Sequence, residues 1–424
     1  MIDQARWQKL SPFLDQALER EGAEREGWIE TLRADHAEVA QDLQSLLGEL
    51  QALDDRGFLQ SDPSSAMLSE PSRAGQTLGA YTLESLLGRG GMGTVWLARR
   101  HDGHFECKVA VKLLNLALLG LDGGQERLRR EARVLGRLAH LNIARIIDAG
   151  LTTTGQLYLV LEYVEGCDIE RYCDEQSLTI EARIQLFLDV LAAVGHAHAN
   201  LIVHRDIKPA NIYVTRQGVV KLLDFGAAKL IESGDPESAT PLPREGVRAL
   251  TPQYAAPEQM LDAPITVATD VYALGVLLYV LLSGQHPTGE KSASTLQHMR
   301  SLLEAEPARL SEAATAARTY DPATLAKNAA KRAATPQRLK RVLRGDLDNI
   351  VAKALQKNPQ ERYASAREFA DDLKRYLHDE PVLARADSAF YRVRKFVVRN
   401  RLPVILGGTA LAAILAIAAT IRPS

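Results

Sequence analysis

The chain has 424 residues, which is too long for one ordinary domain and suits one large two-lobed domain with flanking segments. Its formal net charge of -2 gives no whole-protein reason to expect a nucleic-acid partner. Its three cysteines, Cys107, Cys167 and Cys173, lack the paired spacing of a zinc site or a disulfide framework, which favours packing thiols in a reducing compartment.

The N-terminal segment, residues 1–55, carries apolar residues at helical spacing, beginning with Trp7, Leu10 and Leu14. The pattern predicts two or three short amphipathic helices. The simpler interpretation is a helical cap packed on its own chain, and the alternative is a docking module for a partner. Residues 56–78 are rich in Ser, Pro, Gly and Asp, which predicts a linker.

A glycine-rich pattern, Gly-x-Gly-x-x-Gly-x-Val, lies between two strand-like segments, 81–87 and 94–99. Glycine lets a backbone approach phosphates because no side chain intervenes. Dinucleotide-binding folds share this pattern, but there it opens a helix and an acidic residue follows. Here a strand and then a lysine follow, which predicts a nucleotide-phosphate site. Its candidate residues are Gly88, Arg89, Gly90, Gly91, Met92, Gly93, Val95, Ala110 and Lys112.

Between positions 204 and 211 the chain reads His-Arg-Asp-Ile-Lys-Pro-Ala-Asn, and an Asp-Phe-Gly turn follows shortly afterwards. Asp206 can accept the proton of a hydroxyl group, and Lys208 can neutralise charge on a transferred phosphate. Asn211 and Asp224 offer oxygen ligands to Mg2+, which prefers such donors and keeps substrate phosphates in its shell. The stretch predicts phosphoryl transfer from ATP to a hydroxyl group.

Together these motifs resemble bacterial eukaryotic-like (Hanks-type) serine/threonine protein kinases, over about residues 80–378. The resemblance implies an α+β fold, with a small β-rich lobe, a larger helical lobe, and ATP and Mg2+ in the cleft. It also implies transfer of the ATP γ-phosphate to Ser or Thr hydroxyls of protein substrates. A catalytically weak pseudokinase or scaffold is the alternative, and an adaptor working through residues 1–55 is a third hypothesis.

The resemblance assigns further catalytic roles on either side of the cleft. Glu131 would hold Lys112 in place, with Glu126 as the nearest rival. Thr251 matches the threonine that bridges the catalytic aspartate and lysine. These assignments follow from the family's pattern, since a single glutamate on a helix is more often part of a solvated ion pair.

The resemblance also places an adenine pocket at the connection between the lobes. Leu161 would guard the back of that pocket, and the backbones of Glu162 and Val164 would bind the adenine edge. Tyr213, two positions after Asn211, stands where the family usually carries an aliphatic residue beneath the adenine. Its ring could lie along the base or point into the core of the lobe.

The resemblance also implies that three further residues support the activation segment and the catalytic loop. Glu258 should form a buried ion pair with Arg362, which would anchor the end of the activation segment. Asp270 should hold the backbone of the catalytic loop.

The activation segment, from Asp224 to position 258, departs from its relatives in two places. Val247 occupies the position where many carry a phosphorylated threonine, and Leu250 replaces the usual glycine. The arginine of the His-Arg-Asp motif usually needs a negative partner in this segment. Glu245, or phosphorylation at 238 or 240, is expected to supply it.

Residues 285–345 form a longer connection than a minimal kinase needs, and 331–344 is a basic run. A charge run is usually a solvated face, and substrate docking is the alternative. Helical periodicity resumes over 346–377. The predicted kinase domain is 79–378, with lobes at about 79–163 and 167–378.

The C-terminal part predicts a membrane anchor: a basic juxtamembrane segment, 379–401, leads into an uncharged run, 402–421. A helix of that length is roughly 30 Å long, which matches the apolar thickness of a bilayer. The basic bias predicts a single-pass protein of the cell (inner) membrane, with a cytoplasmic kinase and lipid contact through one helix. A small-residue stripe, Gly408, Ala412 and Ala416, could support a homodimer.

Overall fold

The structure is a computed structural model. It describes residues 4–18, 20, 22–55, 73–90, 93–101, 106–114, 136, 138–224, 252–261, 263–288, 295–315, 321–385, 391 and 395.

Three helices form the N-terminal part, α1 (Gln4–Leu18), α2 (Gly22–Asp35) and α3 (Ala37–Asp55). Their apolar faces make a small core of their own, which contains Leu10, Leu14, Ala17, Ile29, Ala40 and Leu43. Leu261 and Leu303 of the large lobe pack against this core. Three helices lie in the segment where helical periodicity predicts them, and the contact with the large lobe supports the interpretation as a cap packed on its own chain.

The small lobe is a six-stranded antiparallel sheet in the order β1-β2-β3-β4-β6-β5. Its strands are β1 (Thr77–Leu78), β2 (Tyr81–Gly90), β3 (Gly93–His101), β4 (Glu106–Leu114), β5 (Ile146–Leu151) and β6 (Leu157–Glu162). β1 corrects the predicted linker, 56–78, because Thr77 and Leu78 already pair with Thr82 and Tyr81 of β2. Leu78 is buried in the core of this sheet, so its apolar side chain belongs to the lobe.

The large lobe is mostly helical and carries a three-stranded sheet in the order β7-β8-β9. Its elements are β7 (Gly166–Asp168), α4 (Ile169–Glu175), α5 (Ile180–Ala199), β8 (Ile212–Thr215), β9 (Val220–Leu222), α6 (Pro257–Met260), α7 (Val267–Ser283), α8 (Thr295–Glu304), α9 (Leu310–Ala313), α10 (Pro322–Ala330), α11 (Pro336–Leu343), α12 (Asp346–Ala354) and α13 (Ala366–Leu377). The central helix is α7, in which every residue after the first is buried. Because it is apolar on all sides, it requires neighbours all round, and α5, α12 and α13 are among them.

Two buried arginines attach the long connection, which contains α8 to α11, to the rest of the lobe. Arg183 of α5 donates to the carbonyl oxygen of Lys331, just after α10, at 2.5 Å, and Arg332 donates to that of Leu282 in α7 at 2.9 Å. Asp174 supplies the negative charge, with an oxygen 2.9 Å from Arg183. Burial lowers the pKa of Arg332 to about 10, and repulsion from Arg183 adds to that effect.

Within the described ranges, no helix is long and apolar enough to cross a bilayer. The predicted span, 402–421, and the small-residue stripe in it lie outside those ranges.

Candidate active site

The glycine-rich pattern spans the end of β2 and the start of β3, and β3 pairs with β4, the strand that carries Lys112. Gly93 has a φ of +138°, and a Cβ there would collide with the carbonyl oxygen of Leu113 on the neighbouring strand, so glycine is required. A Cβ at Gly88 or Gly90 would meet nothing within 4 Å. The turn therefore leaves open space beside its backbone. Gly91 and Met92 lie outside the described residues, and Arg89 pairs with Thr94 across the hairpin.

Strand pairing places the other phosphate-site candidates beside one another. Val95 of β3 is opposite Lys112 of β4, and Ala110 of β4 is opposite Leu161 of β6. The Lys112 side chain is only 5% exposed. A buried ammonium group needs a negative partner, and here the partner is a carboxylate oxygen of Asp224.

Asp224 thus pairs with the lysine that was expected to bind Glu131. Glu131 and Glu126 lie outside the described residues, so their pairing stays a prediction. Burial alone would raise the pKa of Asp224, but attraction to Lys112, and to His204 and Lys208, holds that pKa below its usual value. The carboxylate is therefore ionised at neutral pH.

The catalytic loop brings three predicted residues into direct contact. Lys208 Nζ lies 2.8 Å from Asp206 Oδ2, and Asn211 Nδ2 donates to the same oxygen at 2.9 Å. Asn211 Nδ2 also donates to the backbone oxygen of Asp206 at 2.7 Å. The Asp206 side chain is 20% exposed, so it remains open to a substrate.

The hairpin of β8 and β9 connects this loop to Asp224. Ile212 of β8 is opposite Leu222 of β9, and the backbone N–H of Leu223 donates to the carbonyl oxygen of Asn211 at 2.8 Å. Asp224 is the next residue along the chain. The hairpin therefore holds Asn211 and Asp224 on the same side of the cleft, as their predicted roles require.

Asp270, at the start of α7, fixes the backbone of the catalytic loop. It is fully buried, and its two oxygens accept the backbone N–H groups of His204 and Arg205, both at 2.8 Å. His198 Nε2 is also 2.8 Å from this carboxylate. The predicted role of Asp270 is confirmed.

Glu258 and Arg362 form the predicted buried ion pair. The two guanidinium Nη atoms lie 2.7 and 2.9 Å from the two carboxylate oxygens. Next to this pair, Gln259 Nε2 donates to the carbonyl oxygen of Arg205 at 3.0 Å. The contact links the end of the activation segment to the catalytic loop. Thr251, the predicted bridge between Asp206 and Lys208, lies outside the described residues.

The adenine-pocket candidates lie where β6 leads out of the sheet. Leu161 is half-buried, β6 ends at Glu162, and Val164 is 9% exposed just beyond the strand. Tyr213 alternates along β8 with Ile212 and Val214, which belong to the core of the large lobe. Its half-buried side chain therefore alternates with those core residues, and the placement of its ring along an adenine base stays a prediction.

Sequence reasoning missed three supporting residues, namely His198, Lys221 and Gln259. Lys221 Nζ lies 2.8 Å from Glu162 Oε1 and so connects β9 to the end of β6. Alternation along β9 could have indicated this contact, because Lys221 stands between two core residues and must face away from them. No comparable signal indicated Gln259, whose partner is a backbone oxygen distant in sequence.

The donor set fits a magnesium nucleotide. Asn211 uses Nδ2 for both of its hydrogen bonds, and no described residue donates to its Oδ1. Asp224 engages one carboxylate oxygen with Lys112, and no described residue donates to the other. An amide oxygen and a carboxylate oxygen, the kinds of ligand that Mg2+ prefers, are thus without a donor among the described residues.

Comparison with known proteins gives a consistent answer. The model of the protein kinase domain matches residues 81–373. The chain is 34% identical over 315 residues to the serine/threonine-protein kinase PksC of Streptomyces coelicolor, covering 71% of this chain and 50% of PksC. It is 34% identical over 307 residues to PknB of Mycobacterium tuberculosis, covering 71% of this chain and 43% of PknB.

Among solved structures, the M. tuberculosis PknI kinase domain is similar, with a TM-score of 0.50, 26% identity, and coverage of 72% of this chain and 99% of that domain. The chain spans about half the length of the curated relatives that it matches. The family match covers most of the chain and contains the whole cleft described above. The chain therefore belongs to the protein kinase family, with bacterial serine/threonine-protein kinases among its relatives.

Proposed function

We propose that this chain transfers the γ-phosphate of ATP to Ser and Thr hydroxyls of proteins. The observation that carries the proposal is the convergence of Asp206, Lys208 and Asn211 beside the Lys112–Asp224 pair. Phosphoryl transfer depends mainly on positioning and charge stabilisation, and these residues supply both. The naming of the relatives as serine/threonine kinases favours hydroxyl acceptors of that kind.

The two oxygens of Asp206 have different surroundings, which suggests which one takes the proton. Oδ2 is within hydrogen-bonding distance of both Lys208 and Asn211, whereas no described residue donates to Oδ1. A substrate hydroxyl would therefore donate to Oδ1. The lysine and the amide hold the carboxylate in the orientation that this transfer needs.

On the nucleotide side, Lys112 would contact phosphate oxygens of bound ATP in place of its partner Asp224. Lys208 is positioned to neutralise charge on the phosphoryl group as it moves. Magnesium, when bound, would neutralise phosphate charge, and Asn211 and Asp224 are the residues that would hold it. The backbone of the glycine-rich turn would cover the phosphates.

Transfer of label from γ-labelled ATP to proteins of a cell extract tests the proposal. The wild type should label proteins, and Asp206→Ala should not. Asp371→Asn, on the outer part of α13, is the matched control and should retain activity. Equal labelling by the wild type and Asp206→Ala would overturn the enzyme proposal and favour a scaffold that recruits partners.

We further propose that residues 402–421 anchor the kinase in the cell membrane, with the kinase domain in the cytoplasm. The support is the uncharged length of this run and the basic residues before it, which are Arg392, Arg394, Lys395, Arg399 and Arg401. Cytoplasmic signalling proteins would then be the substrates. Pairing of two anchors through Gly408, Ala412 and Ala416 would bring two kinases together.

Alkaline extraction of membranes tests the anchor. The full chain should remain in the membrane fraction, and a chain lacking 402–421 should be released. Release of the full chain under the same conditions would overturn the anchoring proposal without affecting the catalytic one.

A further inference from the structure

Helix α11 has one face in the core of the large lobe and a strongly cationic outer face. Leu339 and Leu343 are completely buried, which fixes the helix in one orientation. The side chains on the outer face and at the end of the helix are exposed. The exposed cations are Arg338, Lys340, Arg341 and Arg344.

These four cations are not used to hold the fold together. None of them forms an ion pair with a described residue, whereas Lys331 just before the helix lies 2.8 Å from Asp174. A cluster of like charges that has no counter-charge among the described residues disfavours the folded lobe. The cluster is therefore available to an external anionic surface.

The C-terminal segment returns to the lobe directly beside this helix. Lys395 Nζ lies 2.8 Å from a carboxylate oxygen of Asp346, and Arg385 lies 3.5 Å from the other. Tyr391 is 5% exposed and accepts a hydrogen bond from the backbone N–H of Val382 at 3.2 Å. Asp346 begins α12, just after the end of α11, so the segment is held next to the cationic face.

The chain length beyond this contact limits how far the lobe can lie from a membrane. Only six residues, 396–401, lie between Lys395 and position 402, where the uncharged run begins. Even fully extended they reach at most about 25 Å, whereas a domain of this size is roughly 50 Å across. The side of the lobe that carries Asp346 and α11 must therefore face the bilayer.

We infer that the cationic face of α11 rests on anionic lipid headgroups of the bilayer into which residues 402–421 insert. This inference rests on the proposed membrane anchor. Basic residues within a Debye length of an anionic leaflet are attracted to it. An acidic protein substrate could also bind this face, but the short chain connection favours the lipid surface because it brings that surface to the helix.

Lysine acylation in nanodiscs tests the inference on the full chain. Protein would be reconstituted into discs of phosphatidylcholine alone or of phosphatidylcholine mixed with phosphatidylglycerol, and the acylation rate of Lys340 would be measured by mass spectrometry. Headgroup contact should slow the reaction of Lys340 several-fold in the anionic discs. Lys108, exposed on β4 of the small lobe, is the internal control and should react equally in both.

A pair of matched variants tests whether the whole face takes part. Arg338→Gln with Arg341→Gln should remove most of the protection of Lys340, whereas Arg145→Gln with Arg367→Gln, at exposed sites elsewhere, should preserve it. Retained kinase activity in detergent would show that each variant is folded.

Four results would overturn the inference. Equal rates for Lys340 in the two lipids would do so while leaving the anchor intact. Equal slowing of Lys340 and Lys108 would indicate general charge screening instead of contact. If the α11 variant instead weakened only the phosphorylation of an acidic peptide, the face would be assigned to substrate docking. Extraction of the chain by alkali would remove the anchor and this inference together.

Discussion

Two carboxylate–cation pairs of the large lobe have the same chemistry but different surroundings. In the buried pair, Arg362 is completely covered and Glu258 is 4% exposed. Arg362 donates to both Glu258 oxygens and to the carbonyl oxygens of Ala268, Gln356 and Lys357, so every N–H is used. In the cleft, Asp206 and Lys208 are each about one-fifth exposed, at 20% and 21%.

The difference separates structural charges from chemical ones. A saturated, buried pair has no capacity left for a substrate, and losing either member leaves an uncompensated charge. A partly exposed carboxylate with one oxygen that no described residue contacts can take a proton, and its loss leaves little buried charge behind. We therefore expect substitutions in the cleft to reduce activity without reducing stability. Substitutions in the buried pair should mainly reduce stability.

The largest effect is expected for Asp206→Asn. The amide cannot accept the substrate proton as a carboxylate does, so phosphate transfer should fall about 10²- to 10⁴-fold. The melting temperature should stay close to that of the wild type because the side chain is partly exposed. Initial rates with γ-labelled ATP and a thermal melt measure the two quantities. A variant that melts early with normal activity would contradict the comparison.

Arg362→Met should mainly reduce the stability of the protein. It leaves Glu258 buried without a counter-charge, and we expect the free energy of unfolding to fall by about 3–5 kcal/mol. Urea unfolding measures this, with Arg367→Met on the exposed face of α13 as the control. Replacing Glu258 and Arg362 together by Met should cost less than the sum of the single changes. Additive losses would mean that the two residues do not act as a pair.

The same contrast explains what the sequence could predict. Asp206, Lys208, Asn211 and Asp224 are recognisable because phosphoryl transfer demands those residue types at that spacing. The partner of Lys112 could not be predicted in the same way. Asp224 and Glu131 are both carboxylates, and only the arrangement of the lobes decides between them. The pattern of the sequence carries no information on that arrangement.

Other features could not be predicted because they depend on which residues pair or are buried, and only the fold determines that. Strand β1 was assigned to a linker because two residues are too few to show alternation, and pairing with β2 supplies what the local pattern lacks. The basic run at 331–344 was interpreted as a single feature. In the fold it divides into buried Arg332, paired Lys331 and the exposed cations of α11, since each faces a different neighbour.

Asp270→Asn tests how a buried carboxylate supports the catalytic loop. The carboxylate accepts the backbone N–H groups of His204 and Arg205 with separate oxygens, and an amide offers only one acceptor. We expect a loss of about 1–3 kcal/mol in the free energy of unfolding, since one buried donor becomes unsatisfied. Phosphate transfer should also slow, because the backbone of the catalytic loop is held less firmly. A loss of stability with unchanged kcat would show that the loop keeps its position without this residue.

The smallest effect concerns pH and comes from Lys357, next to the buried pair. Burial lowers its pKa from 10.5 to about 8, and repulsion from Arg362 acts in the same direction, while its Nζ donates to the carbonyl oxygen of Leu302 at 2.5 Å. Between those two pKa values the unfolded chain binds more protons than the folded one, so this group makes stability rise with pH.

Below about pH 8 Lys357 is charged in both states and the burial penalty is complete. The stability of the wild type relative to Lys357→Met should therefore increase as the pH is raised from neutral through this pKa. Urea unfolding at a series of pH values measures the difference, and the buried tyrosines that titrate at higher pH cancel because both proteins contain them. Lys374→Met, at an exposed position of α13, corrects for the change of net charge. A difference that is constant across the series would mean that Lys357 reaches solvent, and the interior around Arg362 would then be less closed than its neighbouring contacts indicate.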